Sequence, residues 1–261
     1  ARSAARAVGL RRRHLLAARV RWERNVITST SRLGAAGTGR ILCYHSIGTP
    51  EWEINDVPVR RLRRQLELAL KLGYRFVTAR TIAAGDAGPR DLAITLDDGL
   101  LSVLVNGAPV FAELGIPWTL FVVCDWADGR HERSDLFMGW SEVIEARRMG
   151  AEIGSHSLTH PDFGGLDDAR AGEELFQSRR LIRERTGILV DSFAIPFGQS
   201  RNWRPELTRL AHSCGYQHVY AQAVATRTEG TIPRTFLTRF DGDRIFKAAL
   251  KGAFDGWEEP A

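Results

Sequence analysis

Two adjacent carboxylates close an apolar run in "DLAITLDDG", where Asp97 and Asp98 precede Gly99. Side by side without a cation, such groups repel and one of them takes up a proton. A divalent ion removes that difficulty. One carboxylate binds the ion, and the other accepts a proton from a water that the ion has activated. Gly99 permits a tight backbone turn where a Cβ would interfere. Ligands to complete such a site stand in "EIGSHSLTH", where three residues separate His156 from His160. On a helical turn this spacing brings two imidazoles to one side, within reach of one ion. Two neutral imidazoles and one carboxylate leave a coordination position open for water, the usual form of a catalytic zinc centre. Zinc is the divalent metal preferred for this set, and cobalt, nickel, manganese or iron suits the same donors.

The elements that must position these residues alternate along the chain. Strands are expected over 41–45, 74–79, 91–98, 117–124, 151–156, 191–197 and 218–221. Helices are expected over 59–73, 102–115, 140–149, 167–186 and 204–214. "PWTLFVVC" is almost wholly apolar, as a parallel strand covered on both faces should be. Repeated β and α units predict a parallel α/β fold, either a barrel or an open sheet. Placement of the polar residues decides for the barrel. His45, Asp97, Asp98, Asp125, His156 and Pro196 all fall at or just past the C-terminal ends of strands. In a barrel those ends form one rim, where active sites are assembled from several strands.

Composition bounds the rest. The chain has 261 residues, 44% hydrophobic and 26% charged, with a net charge of +5. Residues 1–40 hold ten arginines and a single acid, Glu23, so they carry +9 and the remainder sums to −4. The body is therefore not basic, which argues against nucleic acid as a partner. Residues 1–39 read as a basic arm preceding one domain over 40–261. Its first 25 residues read as an amphipathic helix, followed by a small-residue connection over 31–40. Three readings of the arm compete: a helix packed on the domain, a peripheral contact with anionic lipid, or a targeting remnant. No secretory signal is visible, so a cytoplasmic or membrane-peripheral location is expected. Cys43, Cys124 and Cys214 are too few and too scattered for a disulfide framework.

Together, "TLDDG" and "HSLTH" resemble the motifs of the polysaccharide deacetylases with a NodB-homology domain, carbohydrate esterase family 4. "CYHSI" and "FAIPFG" are similar to further segments of one branch of that family, and the resemblance runs over roughly residues 40–222. It implies a distorted (β/α)7 barrel and removal of N-acyl groups from amino sugars. It further implies that Asp97 is the base and that Asp98, His156 and His160 bind the metal. This chain departs from the pattern in three places. Leu96 stands where the family usually has Phe, and Ala194 stands where many members have Arg. A late Leu-x-His, whose histidine serves the leaving amine, is missing. His45, at the end of the first strand, is the candidate for that catalytic role.

Pro196 and Phe197 of the "PFG" segment and Asp125 after "FVVC" are candidate substrate contacts. Asp125 reads equally as a helix cap or a turn residue. The leading expectation is a metal-dependent hydrolase of an N-acylated amino sugar in a glycan or glycoconjugate, attacking a linear amide. Two alternatives remain open: a non-catalytic glycan-binding protein on the same fold, or a deformylase or cyclic-amide hydrolase using the same metal centre.

Overall fold

The computed structural model describes residues 2–30 and 39–259, and of residues 2–13 only the backbone. Most of the small-residue connection read over 31–40 lies outside the described residues. Ten strands and nine α-helices follow along the described chain: α1 (Arg2–Thr30), β1 (Arg40–Tyr44), β2 (Ser46–Ile47), β3 (Asp56–Val57), α2 (Val59–Lys71), β4 (Arg75–Phe76), α3 (Ala79–Ala83), β5 (Asp91–Leu96), α4 (Ala108–Leu114), β6 (Trp118–Val122), α5 (Cys124–Ala127), α6 (Trp140–Arg148), β7 (Ala151–Ser155), α7 (Asp168–Thr186), β8 (Ser192–Ala194), α8 (Pro205–Ser213), β9 (His218–Tyr220), β10 (Thr235–Phe236) and α9 (Asp243–Leu250).

Seven strands run in the order β10-β1-β5-β6-β7-β8-β9, every pairing parallel. β4 pairs the first two residues of β5, below the point where β6 begins. The two ends of this path meet. Ile232 bridges to Tyr220 of β9, accepting from Ala221 N at 2.9 Å and donating to Val219 O at 2.7 Å. Three residues later the same segment pairs with β1 through Leu42 and Thr235. One stretch, Ile232 to Phe236, thus closes the ring, and the expected distorted (β/α)7 barrel is what the chain forms.

Strand alternation separates two layers. Outward residues such as Leu42, Tyr44, Ile94, Leu96 and Leu120 pack under the helices in the main core. Inward residues Ile41, Ala93, Phe121, Ala194 and Tyr220 form a smaller cluster within the barrel. The same alternation carries Cys43 and His45, and Thr95 and Asp97, onto the inward face and up to the rim. The lumen is tight at Gly154, where a Cβ would lie 2.5 Å from Phe121 ring carbons and 3.1 Å from Ser192 O.

Several elements differ from the expectations. The helix read over 102–115 begins as a π-helical segment, Val103–Gly107, and becomes α only at Ala108. Pro109, which has no N–H to give, sits in the first turn of α4. The strand read over 74–79 shrinks to two residues, because Thr78 caps α3 by accepting from Thr81 N. The sequence pattern places no element beyond residue 221, yet β10 and α9 lie there. α1 packs on α9 and the C-terminal segment. Arg24, fully buried, donates twice to Asp241 at 2.6 Å, and its guanidinium lies 4.0 Å over the Phe254 ring. No helix among the described residues is long and apolar enough to cross a membrane.

Substituting Gly154→Ala should lower stability by about 1–3 kcal/mol through overpacking against Phe121. Denaturant unfolding of the two proteins, with an unchanged slope, is the check.

Candidate metal centre

β5 ends at Leu96, and the chain turns at once. Asp98 adopts φ 71° and Gly99 φ 69°, both left-handed. Asp tolerates that region better than most residues. The turn keeps Asp97 facing the lumen and aims Asp98 across the rim, so both carboxylates point inward from consecutive positions.

β7 ends at Ser155, and His156 follows it directly. The H-x3-H segment is not the helical turn expected from its spacing. It is an irregular bend with Ser157 at φ 76° and His160 at φ 64°. Its backbone is satisfied by side chains instead of by a helix. His160 N donates to Ser157 Oγ at 2.8 Å, and Leu158 N and Thr159 N both donate to the Glu174 carboxylate at 2.9 Å. Glu174, from α7, also accepts from Thr159 Oγ1. Sequence reasoning missed Glu174, since one acid in a charged helix carries no distinguishing signal.

Asp98, His156 and His160 present ligand atoms all within 4.8 Å of one another. His156 Nε2 lies 3.5 Å from Asp98 Oδ1, and His160 Nε2 lies 3.6 Å from it. Ligands on one tetrahedral zinc with bonds of about 2.0–2.1 Å would be separated by about 3.3–3.4 Å, so this set fits a small divalent ion. The His156 tautomer suits it as well. Nδ1 is 2.9 Å from Ala194 O, so that nitrogen carries the proton and Nε2 is left with a free lone pair. His160 is stacked on Trp126 at 4.9 Å and meets the edge of Phe197 at 4.8 Å.

Beneath this trio lies an arginine. Arg234, with no exposed surface, donates Nη1 to Asp97 Oδ1 at 2.6 Å and Nη2 to Asp97 Oδ2 at 2.7 Å. It also reaches Thr95 Oγ1 and Ala221 O. This arginine comes from the ring-closing segment, 137 positions from Asp97. The signal was present in "TIPRTF", an arginine inside an apolar strand-like stretch. A second grouping, Cys43, His45 and Asp97, also lies within 4.8 Å, but both Asp97 oxygens are already taken by Arg234.

The charges set the protonation states. Burial alone would raise the Asp97 carboxyl, but Arg234 and then His156 outweigh it and hold Asp97 below its ordinary value. Burial likewise opposes ionisation of Asp98, and the neighbouring His156, His45 and His160 override it, keeping Asp98 well below the carboxylate range. Burial pulls His156 down, but Asp97 and Asp98 raise it above its ordinary value. His160, buried beside His156, is pushed down to about 4. Burial also lowers His45, whose Nδ1 has no hydrogen-bond partner.

A cavity of about 590 Å³ opens over these groups, with His45, Asp98, His156 and His160 on its floor. Trp52, Trp126 and Phe197 give it apolar walls, while Gln199, Gln222 and Arg201 add polar ones. Gln199 is buried with Oε1 unpartnered. Two of the expected substrate contacts are placed elsewhere. Asp125 does not line this cavity, because its carboxylate is drawn aside by Arg130. Its neighbour Trp126 is the one that lines it. Pro196 is buried behind the wall, and only Phe197, half-exposed at φ 61°, reaches the opening.

The fold and these groups define a parallel (β/α) barrel with a histidine–carboxylate centre at the C-terminal rim. The sequence pattern of the polysaccharide deacetylase family matches residues 84–219, and the chain belongs to that family. It is 24% identical over 182 residues to YxkH of Bacillus subtilis (strain 168), named as a polysaccharide deacetylase, covering 68% of this chain and 62% of that protein. The chain therefore spans less than two thirds of that relative. Among solved structures it is similar to IcaB from Ammonifex degensii, with TM-score 0.69 and 20% identity, over 85% of this chain and 99% of that one. The Streptococcus pyogenes deacetylase PplD in complex with acetate superposes with TM-score 0.67 at 16% identity, over 77% of this chain and 93% of that one. At such identities these two structures speak to the fold alone.

Two outcomes are expected. Arg234→Met leaves a buried carboxylate without its partner and should cost about 3–5 kcal/mol of stability, most of it restored when Asp97→Leu is added. Unfolding of the two single variants and the double variant reads this. Metal loading should depend on pH, because ligands bind only when unprotonated. Zinc retained per chain, measured after dialysis over a pH series, should fall once the pH drops through the raised His156 range. His160 adds its own loss only near 4.

Proposed function

We propose that the chain is a metal-dependent hydrolase that removes an N-acyl group, N-acetyl foremost, from an amino sugar of a glycan. The observation that carries this reading is the pair of adjacent carboxylates in two different states of engagement. Asp98 faces two histidine Nε2 atoms, and Asp97 is held ionised by Arg234 just beneath the cavity floor, its Oδ2 3.9 Å from His156 Nε2. Family membership supports the reaction class.

Asp98, His156 and His160 would hold the ion. Bound there, a divalent metal such as zinc polarises an acyl carbonyl and makes a water more acidic. Asp97 accepts the proton as the water oxygen bonds to the acyl carbon. Arg234 keeps Asp97 ionised and ready, and its two hydrogen bonds fix the carboxylate plane. The C–N bond then breaks, and the amine nitrogen must gain one proton. Asp97 carries that proton after the first step. A ring nitrogen of His45 lies within 4.8 Å of the Asp97 carboxylate, so His45 can pass the proton to the amine. Its lowered affinity for protons suits a relay that starts as neutral imidazole. The carboxylic acid and the free amino sugar leave. Trp126 and Phe197 flank His160, and their faces offer a sugar ring apolar contact.

Zinc-loaded protein is expected to release acetate from N-acetylated oligosaccharides. Asp97→Asn should retain zinc while losing acyl release by about 10²–10⁴-fold, the usual range for removing a general base. Full turnover by that variant with zinc bound would defeat the reading.

A further inference from the structure

Leu15 and Trp22 are the most exposed large hydrophobic side chains among the described residues, at 70% and 66%, and Val26 stands with them at 37%. All three belong to α1. Spacings of seven and four residues place them within an arc of about 40° on a helix of 3.6 residues per turn. The opposite face of α1 is the one that packs. Val20 and Arg24 have no exposed surface there, and Arg24 is clamped to Asp241. A helix resting on a soluble domain normally turns polar residues outward. This one also carries apolar side chains on its outer face, and no described residue covers that stripe. The stripe borders a groove of about 320 Å³ in which Trp22, Val26, Ile27 and Trp257 supply apolar walls and Arg19, Glu23 and Glu258 charged ones.

Charge narrows the occupant. Residues 1–40 carry +9, while the rest of the chain carries −4. Arg24 and Arg40 are spent on Asp241 and Asp255, and Arg19, though exposed, pairs with Glu23; Arg21 is exposed, and three consecutive arginines, 11–13, precede it in the helix. Tryptophan and leucine on one side of a helix rich in arginine suit the boundary between headgroups and acyl chains of an anionic bilayer. Attraction to such a surface would be confined to this side of the molecule. Leu16, next to Leu15 but a hundred degrees around the helix, lines the cavity over the histidines. The outer stripe therefore runs beside the cavity mouth.

We infer that α1 docks this protein on an anionic lipid surface through Leu15, Trp22 and Val26, with the cavity mouth held next to that surface. The inference stands on exposure and charge and is independent of the reaction proposed above.

The full chain, zinc-loaded, is sedimented with vesicles of phosphatidylcholine alone or mixed with phosphatidylserine. Wild type should pellet with the mixed vesicles, bind the neutral ones far more weakly, and be released by added salt. Leu15→Glu and Trp22→Glu should each weaken binding by about tenfold or more. Both side chains are exposed, so unchanged zinc content and melting temperature confirm that the variants fold. A second measurement needs no loss of binding. Brominated lipid should quench tryptophan emission of wild type on mixed vesicles, and Trp22→Phe should markedly reduce that quenching. Equal pelleting of wild type and both glutamate variants would overturn the inference, as would no pelleting at all. Quenching undiminished in Trp22→Phe would also overturn it. So would a dimer that Trp22→Glu splits while vesicle binding stays unchanged, since the stripe would then be a contact between two copies.

Discussion

The rest of the molecule depends on a buried guanidinium–carboxylate pair. Arg234 sits on the stretch that closes the barrel, and its two hydrogen bonds cross the lumen to Asp97 at the end of β5. Ring closure and ionisation of the rim carboxylate are thus one interaction. Taken separately, either charge would be costly in a lumen lined by Phe121, Ala194 and Tyr220. Paired, they hold their protonation states firmly, and Thr95 Oγ1 and Ala221 O take other guanidinium hydrogens. The pair also limits what Asp97 can do. With both oxygens engaged it is poorly available as a metal ligand, whereas Asp98, one residue on, is turned toward the histidines.

That division of labour requires backbone that ordinary residues avoid. Among the described residues, five other than glycine have positive φ; Glu53, Asp98, His160 and Phe197 line the cavity, and Ser157 lies in the histidine loop. Strain of this kind persists only where the surroundings hold it in place. Here the holding groups are identifiable. Glu174 takes two backbone N–H groups and a hydroxyl of the histidine loop, Ser157 Oγ takes a third N–H, and Ala194 O fixes the His156 ring. Gly198, at φ 63°, passes so close to Gln222 that a Cβ would sit 2.5 Å from its Cβ. The rim is therefore rigid before any substrate arrives, as a site that works by positioning should be.

The N-terminal helix adds a different kind of constraint. Its inner face is locked by Arg24 and Asp241 in the body, so α1 cannot be treated as a detachable tail. Its outer face is exposed, apolar and accompanied by arginine. The cavity, bordered by Leu16 on one side and by the histidine loop on the other, has its approach shaped by both.

Much of this was legible in the amino-acid order. Alternating apolar runs and helical patterns announced the barrel, and strand-end placement of His45, Asp97 and His156 announced the rim, because both signals are local and periodic. The Asp-Asp-Gly and H-x3-H motifs named residues that do come together over the floor. What stayed hidden depends on distance in space rather than in sequence. Arg234 lies 137 positions from Asp97, and no local pattern reveals that the two meet. The histidine spacing suggested a helical turn, but side chains from α7 offered its backbone better partners than a helix would. Asp125 stood at a strand end like the others, yet Arg130 drew it off the cavity. Residue types and spacing determined which chemistry was on hand. Only the closing of the barrel decided which charges met, since a buried charge settles on whichever partner the fold brings within hydrogen-bond reach.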